Sequence, residues 1–183
     1  MKNLCDILPI EHPIIMAPMF LVSNPEMVVE ALKCGITAAI PAANSRKKGE
    51  LPEAILKIKS QTDKPFGVNI VVNKSNTRYK TQISEIVEAK PSLIITSLGN
   101  TKASIELAHK NGIKVFCDVV DLKYAQKVES LGADAIIAVN SLAGGHSGIF
   151  KPQELMSLLT ENCKVPIIYA GGIPLKIDID KAM

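Results

Sequence analysis

The stretch Ala135-Ile136-Ile137-Ala138-Val139-Asn140-Ser141-Leu142-Ala143-Gly144-Gly145-His146-Ser147-Gly148 passes from an unbroken apolar run straight into small and polar residues. A segment that is apolar at every position, rather than at alternate ones, is expected of a strand covered on both faces, as in a parallel sheet. The same pattern recurs outward in both directions. Further apolar runs occupy Pro13–Met19, Ile36–Ala42, Pro65–Val72, Leu93–Leu98, Lys114–Val120 and Val165–Tyr169. Amphipathic stretches lie between them at Glu26–Lys33, Leu51–Ser60, Thr81–Ala89, Ser104–Lys110, Lys123–Ser130 and Pro152–Thr160. Gly35, Gly112 and Gly132 each follow a helical stretch and precede a strand, the place where a helix stop is expected. Strands alternating with helices imply right-handed βαβ units on a parallel sheet.

The placement of the unusual residues chooses between an open doubly wound sheet and a barrel. Small or polar residues gather at the C-terminal end of nearly every run: Pro18-Met19, Asn69, Ser97–Gly99, Asp118, Asn140–His146 and Gly171-Gly172. An open sheet concentrates its site at one switch point, whereas a barrel collects residues from all strand ends on one face. The sequence therefore predicts an α/β fold of the TIM (β/α)8 type. Seven units extend from residue 13 to about residue 180, and a closed barrel typically needs about 250 residues. The expectation is a single barrel domain over residues 1–183 that lacks the eighth strand and helix, truncated after about seven βα units. Such a barrel leaves edges on its first and seventh strands, an association liability that a homo-oligomer would relieve.

Composition narrows the class. The chain is 47% hydrophobic and 21% charged over 183 residues, the balance of a globular protein. Its formal charge of +3 comes from scattered Lys and Arg with no dense basic stripe, which argues against nucleic acid as a partner. The apolar stretch Pro13–Val22 is too short to span a bilayer and is interrupted by Pro13 and Pro18. No A-x-A cleavage pattern follows it, so no membrane partner and a cytoplasmic location are expected. Cys5, Cys34, Cys117 and Cys163 show no C-x-x-C spacing and read as buried thiols in a reducing compartment. No His/Cys or carboxylate cluster has metal-ligand spacing.

Three segments carry chemistry. In Ala143–Gly148, adjacent glycines allow close backbone approach to a ligand, and their N–H groups can meet an anion or a ring carbonyl. His146, on that loop, suits proton transfer near neutral pH. The alternative is a glycine-rich turn carrying a surface histidine. Tyr169-Ala170-Gly171-Gly172-Ile173 ends the seventh run, where barrel loops often bind phosphate, or it is a tight turn into a helix begun by Pro174. In Pro65–Asn69, the Asn69 amide can both donate to and accept from a heterocycle, or satisfy backbone at a strand end. Asp118 is read likewise, as a ligand contact or as a strand-end carboxylate. Lys47, Lys48, Lys74 and Arg78 read as solvated loop charges.

Together these segments resemble the nitronate monooxygenase family, formerly the 2-nitropropane dioxygenases, and its relative the FMN-dependent enoyl-ACP reductase. The resemblance rests on Pro13–Met19, Lys64–Asn69, Gly132–Ala135, Ala143–Gly148 and Val165–Ile173, in family order and at family-like spacing. It implies a TIM-barrel flavoprotein that binds FMN without a covalent link. By that likeness Ala17, Pro18 and Met19 would lie along the flavin ring, and Asn69 would contact its polar edge or ribityl chain. Asp118 is a candidate cofactor contact. Asn140 stands where many members have Gln. Gly144 and Gly145 would touch the cofactor through backbone, Gly171 and Gly172 would bind its phosphate, and His146 matches the catalytic histidine. The implied activity is oxidation of alkyl nitronates with O2 to a carbonyl compound and nitrite, the substrate being a small nitronate or nitroalkane. The segment on the family's eighth strand that completes the phosphate clamp is absent, and Phe20-Leu21-Val22 replaces residues that are small in many members. The same residues also accommodate an NAD(P)H-dependent flavin reductase acting on enoyl-ACP or quinone. A truncated barrel without catalytic activity, and a non-redox isomerase or lyase using Asp118, are the remaining readings.

Overall fold

The computed structural model describes residues 3–173, which fall into two compact units. The first unit spans Leu4–Val115; the second runs from Phe116 onward and includes Asn3. In the first, β1 (Ile15–Met16), α1 (Pro25–Lys33), β2 (Thr37–Pro41), α2 (Glu50–Lys59), β3 (Gly67–Val72), α3 (Tyr79–Ala89), β4 (Leu93–Gly99) and α4 (Lys102–Lys110) follow one another. The strand β5 (Lys114–Val119) carries the chain into the second unit. There α5 (Leu122–Ser130), β6 (Ala135–Val139), α6 (Pro152–Asn162) and β7 (Ile167–Ala170) complete the described elements.

Within each unit the strands are parallel and neighbours in sequence are neighbours in the sheet. In the first, Ile15 lies opposite Thr37, Ile40 opposite Val68, and Val68 opposite Ile94. In the second, Cys117 lies opposite Ile136, and Ile137 opposite Ile168. This is the order of a (β/α)8-type barrel, present here over seven strands. The first core packs Val68 and Ile94 of the sheet with Leu32, Ile55 and Ile86 of the helices, all fully buried. The second packs Phe116 and Ile136 with Val128, Leu155 and Leu159. Burial on both strand faces is why these runs are apolar throughout rather than alternating.

Local signals set the boundaries. Asn24 caps α1 by accepting the Met27 N–H at 2.9 Å, with Pro25 in the first turn; Asp121 caps α5 by accepting the Tyr124 N–H at 2.7 Å. Gly35, Gly112 and Gly132 sit just beyond the caps of α1, α4 and α5 with positive φ. The helix α3 stops without glycine, on Lys90 at φ +48°.

Two expectations need correction. The run Pro13–Met19 yields a strand of only two residues, because proline lacks the ladder donor, and the chain turns just beyond it at Phe20–Val22. The cysteines are not uniformly buried: Cys117 and Cys163 are, Cys5 is half-buried, and Cys34, at the end of α1, is exposed. No described helix is long and apolar enough to cross a membrane. The helix expected after β7, with Pro174 in its first turn, lies outside the described residues.

Candidate functional site

In the second unit the candidate residues stand at the C-terminal ends of three adjacent parallel strands. Asp118 is half-buried near the end of β5, Asn140 follows β6 directly, and Gly171 and Gly172 follow β7. Asn140 is the hub. Its side chain is 1% exposed; its Nδ2 donates to the Gly171 carbonyl at 3.0 Å, and its Oδ1 accepts the Leu142 N–H at 2.8 Å. Its own N–H donates to the Ala170 carbonyl at 3.1 Å, and its carbonyl accepts the Ala143 N–H at 3.2 Å. The amide is thus occupied in joining the loop after β6 to the loop after β7.

The two glycine pairs differ in what surrounds them. At Gly171, with φ +113°, an added Cβ would come within 2.4 Å of the Ala143 nitrogen and 2.6 Å of the Asn140 Oδ1. At Gly172 it would meet Leu142 at 2.8 Å. Close approach of the neighbouring loop therefore accounts for both. Gly144 and Gly145 have open space where a Cβ would go, and their N–H groups find no backbone acceptor among the described residues. Bare backbone facing solvent on a loop is what an anion or a ring carbonyl can occupy. His146 follows them, exposed and without a hydrogen-bond or ion-pair partner among the described residues. The loop is closed at its base by the Ser141 N–H donating to the Phe150 carbonyl at 2.9 Å, and α6 begins just beyond at Pro152.

The first unit carries the remaining candidates. Ala17 and Met19 are exposed and Pro18 is half-buried, on the turn after β1. Ser23, 2% exposed, fixes that turn: its Oγ accepts the Met19 N–H at 2.9 Å and donates to the Ala17 carbonyl at 3.3 Å. Asn44, after β2, closes the loop from the other side, donating to the Ser23 carbonyl and accepting the Leu21 N–H, each at 2.8 Å. Leu21 is held at φ +60°. Phe20, Leu21 and Val22, which stand where many members have small residues, are more than half exposed.

Asn69 points both N–H groups at β4, donating to the Ile95 carbonyl at 3.2 Å and to the Ser97 Oγ at 2.7 Å. Its Oδ1 makes no further hydrogen bond among the described residues, so toward a ligand it is an acceptor. Arg78 departs from its reading as a solvated charge. It is half-buried, and its guanidinium donates to the Ser45 carbonyl. Ser23, Asn44 and Arg78 were not recognised as site-forming residues in the sequence. Only the density of Asn and Ser after the β1, β2 and β3 segments hinted at them. Among the described residues, no group of His, Cys, Asp and Glu is placed to hold a metal ion.

Comparison with known proteins adds identity to this geometry. The family model described as nitronate monooxygenase matches residues 1–81 and 74–183. A 5-hydroxy-7a-methyl-1-oxo-octahydro-1H-indene-4-carboxyl-CoA dehydrogenase of Rhodococcus jostii is 30% identical, covering 92% of this chain and 47% of that protein. A nitronate monooxygenase of Paraburkholderia phytofirmans is 28% identical, covering 94% and 59%. The solved structure of FabK from Thermotoga maritima is 31% identical with a TM-score of 0.92, covering all of this chain and 58% of that one. The chain thus spans roughly half to three-fifths of the length of these relatives. With its motifs in order and the family model matching both halves, the chain belongs to the nitronate monooxygenase family.

Proposed function

We propose that this chain is the FMN-binding part of an oxidoreductase that oxidises alkyl nitronates with O2 to a carbonyl compound and nitrite. The observation that carries the reading is His146, exposed and unpartnered beside the open Gly144-Gly145 backbone at the end of β6. Family membership and the nitronate monooxygenase of Paraburkholderia phytofirmans support it.

The residues present fit the cofactor in kind. Gly144 and Gly145 offer unpaired N–H groups, and Asn69 offers an acceptor oxygen. Ala17, Pro18 and Met19 present a small, largely apolar surface held by Ser23. Asp118, Gly171 and Gly172 complete the proposed cofactor set. Asn140 serves it by holding the β7 glycines against the His146 loop rather than by offering a free amide. When bound, FMN supplies the redox chemistry. The protein's share is positioning, and a proton: in its neutral form His146 accepts, on a ring nitrogen, the proton from the carbon beside the nitro group of a neutral nitroalkane.

A second reading, an NAD(P)H-dependent flavin reductase, is favoured by the identities near 30% to the carboxyl-CoA dehydrogenase and to FabK. The apolar residues exposed beyond the strand ends, Met19 to Val22 in the first unit and Leu142 and Ile149 in the second, suit an apolar substrate. The deciding experiment is the visible absorption of the purified chain before and after addition of FMN and desalting. Retained flavin bands, followed by oxygen uptake with an alkyl nitronate, support the first reading. NAD(P)H consumption with an enoyl thioester or a quinone supports the second. A chain that stays colourless overturns FMN binding by these residues alone.

A further inference from the structure

A cavity bounded by the first unit alone measures about 380 Å3 and opens beyond the ends of β2 and β3 at the start of α3. Arg46, Arg78, Asn69, Asn76, Ser75 and Thr77 are on its wall. Two guanidinium groups together with amides and hydroxyls make an unusual lining for a space that is otherwise the mouth of an apolar sheet. We infer that this cavity is an anion subsite that takes the phosphate groups of a nucleotide, the chemistry shared by coenzyme A and NADP(H).

Of the two cations, Arg78 is built into the wall and Arg46 is exposed at its rim. Arg78 is half-buried and anchored by one guanidinium N–H on the Ser45 carbonyl, which leaves the rest of its five-donor fork for a ligand. Its backbone N–H donates to the Asn76 Oδ1 at 3.1 Å. Asn76 is itself tied down, its Nδ2 donating to the Val71 carbonyl at 2.8 Å and to the Gln82 Oε1 at 2.9 Å. Gln82, 3% exposed, completes the frame by donating to the Ala42 carbonyl at 3.0 Å. The wall is therefore preorganised before any ligand arrives, which lowers the entropy lost on binding.

Arg46 lies on the loop between β2 and α2. Two carboxylates accept hydrogen bonds from the backbone of that loop. Glu50 accepts the Arg46 and Lys47 N–H groups at 2.7 and 3.0 Å, and Glu85 accepts the Gly49 N–H at 3.0 Å. These bonds, from Lys47 and then Arg46, with smaller contributions from the Lys47 and Arg78 charges, hold the Glu50 carboxyl below its ordinary pKa and keep the loop in place. No carboxylate lies within 4.0 Å of either guanidinium among the described residues. Lys74 and Lys80 border a second cavity of about 270 Å3 that shares Asn76 and Thr77 with the first, extending the positive surface. Paired guanidinium forks match phosphate oxygens bidentately, and hydroxyls can donate to the same oxygens. The volume suits a phosphorylated ribose, and Asn69 also belongs to the proposed flavin set.

The nucleotide's identity as co-substrate rests on the oxidoreductase reading; the anion subsite does not. The test is calorimetric titration of the whole chain with adenosine 3′,5′-bisphosphate, NADP+ and inorganic phosphate. It compares the natural protein with Arg78→Gln, Arg46→Gln and, as a remote charge control, Lys110→Gln at the end of α4. Gln at position 78 keeps an N–H for Ser45 while removing the charge. Expected is saturable binding of a nucleotide probe that weakens about tenfold or more in each arginine variant and is unchanged in Lys110→Gln. Tighter binding of the bisphosphate assigns the site to coenzyme A, and tighter binding of NADP+ assigns it to the pyridine nucleotide. Absence of saturable binding by any probe, or equal loss in all three variants, overturns the subsite. So does a parallel loss of FMN retention in the arginine variants, which would merge the cavity with the flavin site. The titration reads even on a colourless protein, so failure of the FMN reading and failure of this one are told apart.

Discussion

The Asn140 side chain donates to the Gly171 carbonyl at 3.0 Å while accepting the Leu142 N–H at 2.8 Å, so one buried amide fastens the loop after β6 to the loop after β7. Both bonds are made in a site that is 1% exposed. Removing them unties the two loops and takes a donor from the half-buried Gly171 carbonyl.

Asn140→Ala should therefore cost about 1 kcal/mol of stability, the net worth of hydrogen bonds lost at a part-buried site. Asn140→Asp keeps the acceptor but loses the donor toward Gly171 and should also destabilise. Urea unfolding of the three proteins measures this, and a loss under about 0.5 kcal/mol in the alanine variant would remove the fastening role.

The glycine pairs should part company on substitution. Gly171→Ala drives a methyl group to 2.4 Å from the Ala143 nitrogen at φ +113°, and is expected to destabilise by more than about 1 kcal/mol. Gly144→Ala meets open space and should leave the unfolding midpoint unchanged, while lowering FMN affinity if that backbone is the cofactor's seat. Thermal melts with and without FMN separate the two effects; equal melting losses would contradict the packing difference.

His146→Ala should leave stability within about 0.5 kcal/mol, since the ring is exposed and bonds nothing described. Its activity on neutral nitroalkanes should fall far more than on preformed nitronates, because only the former must lose a proton. Oxygen-uptake rates on both substrate forms read this directly. Equal loss on both would make His146 a binding group instead of a base.

Thiol labelling should follow burial. Cys34 is exposed and should react with a disulfide reagent in the folded protein at neutral pH. Cys117 and Cys163 are buried. Burial, and then the nearby Glu129 charge, also push the Cys163 thiol pKa up, so less thiolate is present at any given pH and its labelling should speed up only as pH rises or the chain unfolds. Mass mapping of the labelled peptides checks the order. Fast labelling of Cys163 in the native state would contradict it.

The strands were legible because parallel strands covered on both faces must be apolar throughout, and Ala135–Val139 is found as read. Helix ends were legible where glycine takes positive φ, at Gly35, Gly112 and Gly132, and not at Lys90, where a lysine does so. The site was legible only as residue types. Asn69 reads as a ligand amide, yet its donors go to Ile95 and Ser97 on the neighbouring strand. That pairing depends on sheet register, which composition does not encode. Arg78 reads as a loop charge because its anchor, Ser45, is remote in sequence. Asn44 escapes for the same reason, its partners Leu21 and Ser23 being remote in sequence, while the Ser23 contacts are local and exist only once the turn after β1 has formed.

The pairing of each strand of the first unit with the one next in sequence also bears on how that unit reaches this state. Thr37 finds Ile15, Gly67 finds Ala39, and Leu93 finds Gly67 across one intervening helix each. Each such step closes a loop of a few tens of residues, and closure entropy rises only slowly with loop length. The first unit can therefore grow strand by strand as it emerges from the ribosome, each new βα unit docking on an edge already in place.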